Sequence, residues 1–235
     1  MTLATPVAPA PGTIPVRFAA ILFDFDGVLI ESEYIGNKHI ADYLTAIGHP
    51  TTPEESMAKF MGYAGKDFLD RVEAWIRRPL PEDFFVAREA EDARVMAEGI
   101  AEVAGAIAFV RSLPADLPKA VVSSSSTRWI SRHLEHLGLS DVFGDHLYSG
   151  REHVERGKPE PDLYLFAAGK LGVAIGDCAI IEDSPVGATG AVASGGHVIG
   201  LYAGNHCAPG HADRLRAIGV AAVASSFDEV TTLLG

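Results

Sequence analysis

The chain has 235 residues, of which 48% are hydrophobic, and a formal net charge of −12. This length allows one large domain or one domain with an insertion, and the composition is that of a folded globular protein. The negative charge and the lack of a Lys/Arg cluster argue against a nucleic-acid partner, since a phosphate backbone demands a basic face. No apolar run approaches the roughly 20 residues that a membrane span requires.

The N-terminal segment and the number of cysteines predict a cytoplasmic protein. Residues 1–15, rich in Ala, Pro and Thr, have neither the charged start nor the apolar centre of a secretory signal, so we expect a flexible tail on a cytoplasmic protein. Two cysteines, Cys178 and Cys207, are too few for a disulfide framework and predict free thiols. We take a monomer as the default.

Short apolar runs alternate with amphipathic helical stretches along most of the chain. The predicted strands are residues 18–23, 120–122, 178–181, 197–201 and 220–223, and two of the predicted helices are residues 128–137 and 162–171. This alternation predicts an α/β fold with an open, doubly wound, Rossmann-like parallel sheet. In such sheets the ligand lies beyond the carboxyl ends of the strands.

Residues 32–98 interrupt this alternation, because they contain helical patterns and no convincing strand. We therefore expect an all-helical cap domain over residues 32–98, inserted into an α/β core domain made of residues 16–31 and 99–235. Inserted directly after the first strand, the cap would stand over that strand's carboxyl end.

The first predicted strand ends in Asp24-Phe25-Asp26-Gly27. One carboxylate would attack phosphorus, while the other would protonate the leaving oxygen and later deprotonate water. Gly27 would let the chain turn or let a ligand come close. An acidic loop after a strand has the same residues, so this motif alone does not decide the chemistry.

A second candidate loop, residues 123–127, contains four serines and a threonine between a strand and a helix. Its hydroxyls and amides would bind an anion, although a helix cap explains the same residues. Lys158, held between Gly157 and Pro159 before a helix, would supply a fixed positive charge for a phosphoryl group. A surface turn is the alternative.

A further pair of acids, Glu182 and Asp183, follows the strand predicted at residues 178–181. Beside Asp24 and Asp26 these acids would repel one another, and a hard divalent cation such as Mg²⁺ would relieve the repulsion. Acids that begin a helix are the alternative.

In this order the four loops resemble the haloacid dehalogenase-like hydrolases, in the branch with a helical cap after the first motif. The resemblance covers residues 18–234. It implies that Asp24 is the nucleophile and Asp26 the general acid and base, and that Lys158 neutralises the phosphoryl oxygens. Ser124, with Ser125 beside it, would hold the phosphoryl group, although Ser123 is an alternative.

The resemblance also implies a Mg²⁺ site formed by the Asp24 carboxylate, the Asp26 backbone carbonyl and Asp183, with Glu182 as a ligand or behind the ligands. Glu31 stands where many relatives have Asp, which bears on the entry to the cap. The implied activity is hydrolysis of small phosphorylated metabolites through an aspartyl-phosphate.

Within this family the cap sequence favours a phosphatase. Asn37, the turn at residues 62–66 and the segment 201–206 look like those of sugar-phosphate and 6-phosphogluconate phosphatases, so Asn37 and Lys66 are candidate substrate-binding residues. A hexose-phosphate mutase resembling β-phosphoglucomutase is the alternative, but Gly36 and Ile40 stand where those mutases have His and Trp. A phosphonatase and a non-catalytic binding module on the same fold also stay open, whereas Asp26 counts against a dehalogenase.

Overall fold

The computed structural model of the chain describes residues 16–61, 63 and 65–235. The tail expected over residues 1–15 lies outside the described residues. Six strands are present in the described part: β1 (Ala20–Phe23), β2 (Lys119–Ser123), β3 (Leu147–Ser149), β4 (Cys178–Glu182), β5 (His197–Leu201) and β6 (Ala222–Ala224).

Helices surround these strands and fill the stretch between β1 and β2. They are α1 (Ser32–Ala46), α2 (Pro53–Phe60), α3 (Gly65–Ile76), α4 (Asp83–Glu98), α5 (Ala106–Ser112), α6 (Thr127–Leu137), α7 (Ser140–Phe143), α8 (Asp162–Leu171), α9 (Pro185–Ser194), α10 (His211–Ile218) and α11 (Phe227–Leu234). Of the helices in this part of the chain, none is long and apolar enough to cross a bilayer.

The six strands form one parallel sheet in the order β3-β2-β1-β4-β5-β6. From β1 the chain moves outward to β2 and β3, then returns to place β4 on the other side of β1. The sheet therefore reverses its direction of growth between β1 and β4, and this switch point is where open α/β sheets bind ligands. The predicted doubly wound parallel sheet is confirmed.

Alternating side chains of the strands supply two cores, one on each face of the sheet. On one face, Ile21 and Phe23 of β1 pack into a cluster with Phe109 of α5, Ile130 of α6 and Phe227 of α11. On the other face, Ala20 and Leu22 join a cluster that contains Leu163 and Tyr164 of α8 and Ala191 of α9. A strand covered on both faces reads as a continuous apolar run, which is why β1 was recognisable in the sequence.

Helices α1 to α4 make a block with an apolar core of its own. That core is built from Ile40, Leu44, Phe60, Val72 and Ile76. The chain enters and leaves the block side by side, because Ile30 forms an antiparallel bridge with Glu102 and the Glu31 amide donates to the Ala101 carbonyl at 3.0 Å. Apart from isolated bridges, the described residues between β1 and α5 are helical or irregular. The boundaries of a separate cap domain at residues 32–98 stay a prediction.

Candidate active site

The carboxyl ends of β1, β2 and β4 meet because the strands are in parallel register. Phe23 of β1 pairs with Val121 of β2 and with Ile181 of β4. The residues that follow these positions therefore emerge at the same edge of the sheet. Asp24 is one of them, and its amide donates to the Ile181 carbonyl at 2.9 Å.

Lys158 links two acids at this edge. Its Nζ donates to Asp24 Oδ1 at 2.7 Å and to Glu182 Oε1 at 2.6 Å, and the lysine side chain is only 3% exposed. Burial alone would lower the pKa of Lys158, but Asp24 and Glu182 outweigh burial and raise it. Lys158 is therefore a permanently charged cation that touches both carboxylates.

Glu182 has both carboxylate oxygens engaged. Oε1 accepts from Lys158 and from the Tyr164 hydroxyl at 2.6 Å, and Oε2 accepts from the Ser184 amide and hydroxyl, each at 3.2 Å. A Cβ at Gly187 would overlap the Glu182 carboxylate, so a residue without a side chain stands there. With no oxygen left unengaged, Glu182 serves to hold Lys158 in place.

The two carboxylate oxygens of Asp183 have different surroundings. Its side chain is 2% exposed, and Oδ2 lies 2.8 Å from His206 Nε2. Oδ1 is buried and has no hydrogen-bond partner among the described residues. Burial, followed by the charges of Glu182 and Glu33, raises the pKa of Asp183 well above its usual value.

The donor set suits a hard divalent cation. Asp24, Glu182 and Asp183 each offer an oxygen within 4.8 Å of the others. Three carboxylates against the single ammonium of Lys158 leave two uncompensated negative charges, and burial followed by the charge of Glu182 raises the pKa of Asp24 well above its usual value. A Mg²⁺ ion held by oxygens of Asp24 and Asp183 would neutralise that excess, so the residues fit the metal.

Asp26 is surrounded by hydrogen-bond donors. Its Oδ1 accepts from Ser32 Oγ at 2.7 Å and Trp129 Nε1 at 3.1 Å, and its Oδ2 accepts from Ser125 Oγ at 2.6 Å and Ser123 Oγ at 3.3 Å. These donors come from α1, from the end of β2 and from the loop and helix that follow it. Asp26 therefore lies at the junction between the helical block and the sheet.

Gly27 is required by two independent constraints. Its φ of +82° is in the region that side chains avoid, and a Cβ there would lie 2.2 Å from Asp183 Oδ2. The residue lets the Asp24 loop turn and lets Asp183 approach. The use of Gly27 as a substrate-binding residue stays a prediction.

The serine loop divides into inward and outward residues. Ser123 ends β2, is 1% exposed and directs its hydroxyl toward Asp26, whereas Ser124 is exposed. Ser126 is the N-cap of α6 and accepts from the Trp129 amide, as the helix-cap alternative expected. Ser123 thus lies beside Asp26 and Ser124 faces solvent, and the phosphoryl-binding role expected of Ser124 stays a prediction.

Neither candidate on the helical block lies among these side chains. Asn37 is buried between α1 and α2, where it donates to the Glu33 carbonyl at 2.9 Å and accepts from Ser56 Oγ at 3.1 Å. Lys66 is 83% exposed and pairs with Asp70 one helical turn away. Of the predicted turn at residues 62–66, positions 62 and 64 lie outside the described residues.

Three residues of the site were missed by the sequence analysis. Tyr164 reads as one more apolar position on α8, and its hydroxyl reaches Glu182 only in the fold. His206 and His211 stand in a Gly-containing loop, where the sequence analysis gave them no role. His206 contacts the Asp183 carboxylate, and His211 Nε2 lies 2.6 Å from the Asp183 carbonyl.

Comparison with known proteins identifies relatives over most of the chain. The family model described as haloacid dehalogenase-like hydrolase matches residues 18–195. Hexitol phosphatase A of Escherichia coli is 31% identical over 227 residues, covering 92% of this chain and 94% of the relative. The 6-phosphogluconate phosphatase of the same organism is 30% identical over 195 residues, covering 82% and 86%.

Solved structures agree with this relationship. The crystal structure of a HAD family hydrolase from Deinococcus radiodurans, with bound phosphate and sodium, has a TM-score of 0.79 and 31% identity. The alignment covers 94% of this chain and 99% of that chain.

Proposed function

The chain belongs to the haloacid dehalogenase-like hydrolase family and is a phosphatase, and we propose that it hydrolyses phosphorylated sugars and related polyol or sugar-acid phosphates with Mg²⁺, through an aspartyl-phosphate on Asp24. One observation carries this proposal: Lys158 contacts both Asp24 and Glu182, while Asp183 keeps a buried oxygen that has no partner in the part of the chain that the structure describes. This arrangement combines a held carboxylate, a fixed cation and an oxygen left for a metal.

In the first step an Asp24 carboxylate oxygen attacks phosphorus, and the bond between phosphorus and the sugar oxygen breaks. Asp26 donates a proton to that leaving oxygen. In the second step Asp26 takes a proton from water, the water oxygen attacks phosphorus, and the bond from phosphorus to Asp24 breaks. The sum is one phosphate ester and one water converted into an alcohol and phosphate, with both aspartates returned to their starting states.

The phosphoryl oxygens would be held by Lys158 and by the hydroxyl of Ser123. We assign Ser123 rather than Ser124 because Ser123 ends β2 beside Asp26, whereas Ser124 is exposed. Ser125 would act on Asp26, to which it donates at 2.6 Å. A Mg²⁺ ion held by Asp24, Asp183 and the Asp26 carbonyl would screen the negative charge of the site, so that the anionic phosphate could approach.

The helical block of residues 32–98 would act as a cap that selects the alcohol part of the substrate. Support comes from the contact between Ser32 on α1 and the Asp26 carboxylate, which joins the block to the proposed general acid and base. The proposed binding site does not include Asn37 or Lys66. Asn37 is hydrogen-bonded to Ser56 inside the helical block, and Lys66 forms a surface ion pair with Asp70.

The substrate class is proposed from the relatives named 6-phosphogluconate phosphatase and hexitol phosphatase A. The test is phosphate release from hexitol phosphates, hexose phosphates, 6-phosphogluconate, phosphoglycolate and nucleotides, each with Mg²⁺ and with a chelator. We expect release from sugar or polyol phosphates that stops with chelator. Equal release in chelator would refute the metal dependence, and preference for nucleotides would refute the substrate class.

A mutase would show itself in the same panel. If hexose 1-phosphate were converted to hexose 6-phosphate without net phosphate release, the hydrolase assignment would be replaced by isomerisation. Phosphorus NMR of the reaction mixture distinguishes the two results directly.

A further inference from the structure

The loop that follows β5 brings a histidine to the back of the site. His206 is 2% exposed, and its Nε2 lies 2.8 Å from Asp183 Oδ2. The neighbouring His211 holds the backbone of the same aspartate, with Nε2 at 2.6 Å from the Asp183 carbonyl. His206 in the loop therefore holds the side chain of Asp183, and His211 at the start of α10 holds its main chain.

The imidazole of His206 occupies a slot that two glycines leave open. A Cβ at Gly27 would lie 2.9 Å from His206 Cε1, and a Cβ at Gly204 would lie 2.6 Å from both Cε1 and Nδ1. The loop is also tied to the first motif, because the Asn205 amide donates to the buried carboxylate of Glu31 at 3.0 Å. The ring is thus fixed in position before any ligand arrives.

The chemistry of the pair defines which atom donates. A carboxylate oxygen only accepts hydrogen bonds, so the contact of Asp183 Oδ2 with His206 Nε2 at 2.8 Å requires that Nε2 carry the proton. This hydrogen bond occupies Oδ2 and leaves Oδ1, which has no partner among the described residues.

A second metal site would be another explanation for the histidines, since His206, Cys207 and His211 lie together. The contacts argue against it. Both ring nitrogens of His211 are engaged, one by the Asp183 carbonyl and one by Arg214 at 3.0 Å, and that guanidinium would repel a cation. Burial, followed by the charge of Asp183, raises the pKa of the Cys207 thiol to about 12, so a thiolate ligand is unfavourable.

We propose that His206 is a positioning residue for metal binding: its Nε2–H holds Asp183 so that Oδ1 faces the divalent cation. The inference rests on the proposed function for the identity of the metal. Groups that are hydrogen-bonded to metal ligands commonly orient those ligands. Here the ligand is the carboxylate of Asp183, and the group that orients it is the imidazole of His206.

The test compares two substitutions of nearly equal shape. His206→Gln keeps an N–H donor near the position of Nε2, whereas His206→Met fills the same slot without a donor. Mg²⁺ affinity is measured by titration calorimetry on the whole protein without substrate. We expect His206→Met to bind Mg²⁺ about 10- to 100-fold more weakly than the wild type, and His206→Gln to recover most of that loss.

Two controls separate positioning from folding. Thermal unfolding in chelator should be alike for His206→Gln and His206→Met, since the two side chains pack alike. His197→Gln, at the opposite end of β5, should leave the Mg²⁺ affinity unchanged. In phosphate-release assays the His206→Met defect should shrink as Mg²⁺ is raised to saturation, because the chemical step is not touched.

Wild-type Mg²⁺ affinity in His206→Met would overturn the inference, and so would equal losses in His206→Gln and His206→Met. A wild-type protein that does not bind Mg²⁺ would overturn it as well. The proposed function fails separately: a protein that releases no phosphate from any compound, yet loses Mg²⁺ affinity in His206→Met alone, keeps the positioning role and loses the phosphatase mechanism.

Discussion

The ammonium of Lys158 lies 2.7 Å from the carboxylate of Asp24, although the two residues come from opposite halves of the chain. Glu182 holds the ammonium from the other side at 2.6 Å. Lys158 thereby orients Asp24 and opposes burial and the charge of Glu182, which together raise the pKa of Asp24 well above its usual value. The first prediction follows from this contact.

Lys158→Met should lower phosphate release by at least about 100-fold, since a buried donor to the phosphoryl oxygens is lost. It should also lower the free energy of unfolding by about 3–5 kcal/mol in chelator, because Asp24 and Glu182 lose the buried cation that pairs with both of them. Urea denaturation and steady-state kinetics measure the two effects. A variant with near wild-type turnover would remove Lys158 from the mechanism.

Gly27→Ala should cost about 1–3 kcal/mol of stability, because an alanine at φ +82° is strained. It should also abolish Mg²⁺-dependent turnover, since the new Cβ would displace the Asp183 carboxylate. Gly36→Ala is the matched control: Gly36 lies within α1 with open space where a Cβ would stand, so this change should stabilise by about 0.5–1 kcal/mol. Equal effects of the two substitutions would contradict the account.

Ser123→Ala and Ser124→Ala should differ sharply. Removal of the buried Ser123 hydroxyl should raise KM for the phosphorylated substrate and lower kcat, whereas removal of the exposed Ser124 hydroxyl should change either value less than about 3-fold, as expected of a surface position. Steady-state kinetics of both variants decide the assignment. A larger loss in Ser124→Ala would return the phosphoryl contact to Ser124.

Burial of His133 should make the protein less stable as the pH falls. It is fully buried on α6, neither ring nitrogen has a partner among the described residues, and burial lowers its pKa from 6.5 to about 4 although Asp26 opposes the shift. Because the unfolded chain binds the proton more tightly, this contribution to stability is complete above pH 6.5 and is lost as the pH falls toward 4. The loss is at most roughly 3 kcal/mol.

His133→Leu should remove that part of the acid sensitivity and be as stable as the wild type, or more stable, at pH 8, because an unsatisfied polar ring becomes apolar. Urea denaturation at pH 8 and pH 5 provides the comparison. Other buried histidines contribute to both proteins and cancel in the difference. Parallel losses of stability in wild type and variant would show that His133 does not titrate as the buried ring requires.

Much of the fold could be predicted because a strand that is buried on both faces appears in the sequence as a continuous apolar run. The limits of β5 and α8 were predicted to the residue, and β1, β2 and β4 within two residues at each end. The short edge strand β3 was missed, since Leu147–Ser149 has no continuous apolar run and forms only by pairing with β2. The predicted start of β6 is two residues too early for a similar reason, because β6 is an edge strand with one neighbour.

Convergence of Asp24, Lys158 and the Glu182–Asp183 pair also followed from the sequence, because parallel strands bring their carboxyl ends together. The choice within the serine run could not follow from it. Four consecutive serines are alike locally, and only the pairing of Ser123 with Ser149 of β3 decides which one ends the strand.

The side chains that hold Glu182 and Asp183 could not be predicted from the sequence, for a different reason. Whether Glu182 offers a free oxygen depends on Tyr164 and Ser184, which fill its hydrogen-bonding capacity in three dimensions. The approach of His206 to Asp183 depends on the path of an irregular loop, and that path is held by a contact with Glu31. Loops without periodicity carry no signal of this kind.

The central claim is that Asp24 forms a covalent bond to phosphorus, and rapid acid quench followed by peptide mass spectrometry tests it most directly. An aryl phosphate with a good leaving group needs no proton from Asp26, so Asp26→Asn should complete the first step and accumulate phosphate on the peptide that contains Asp24. Asp24→Asn should show neither phosphopeptide nor turnover while keeping its fold. Sustained phosphate release by Asp24→Asn, with no phosphopeptide in Asp26→Asn, would contradict the account.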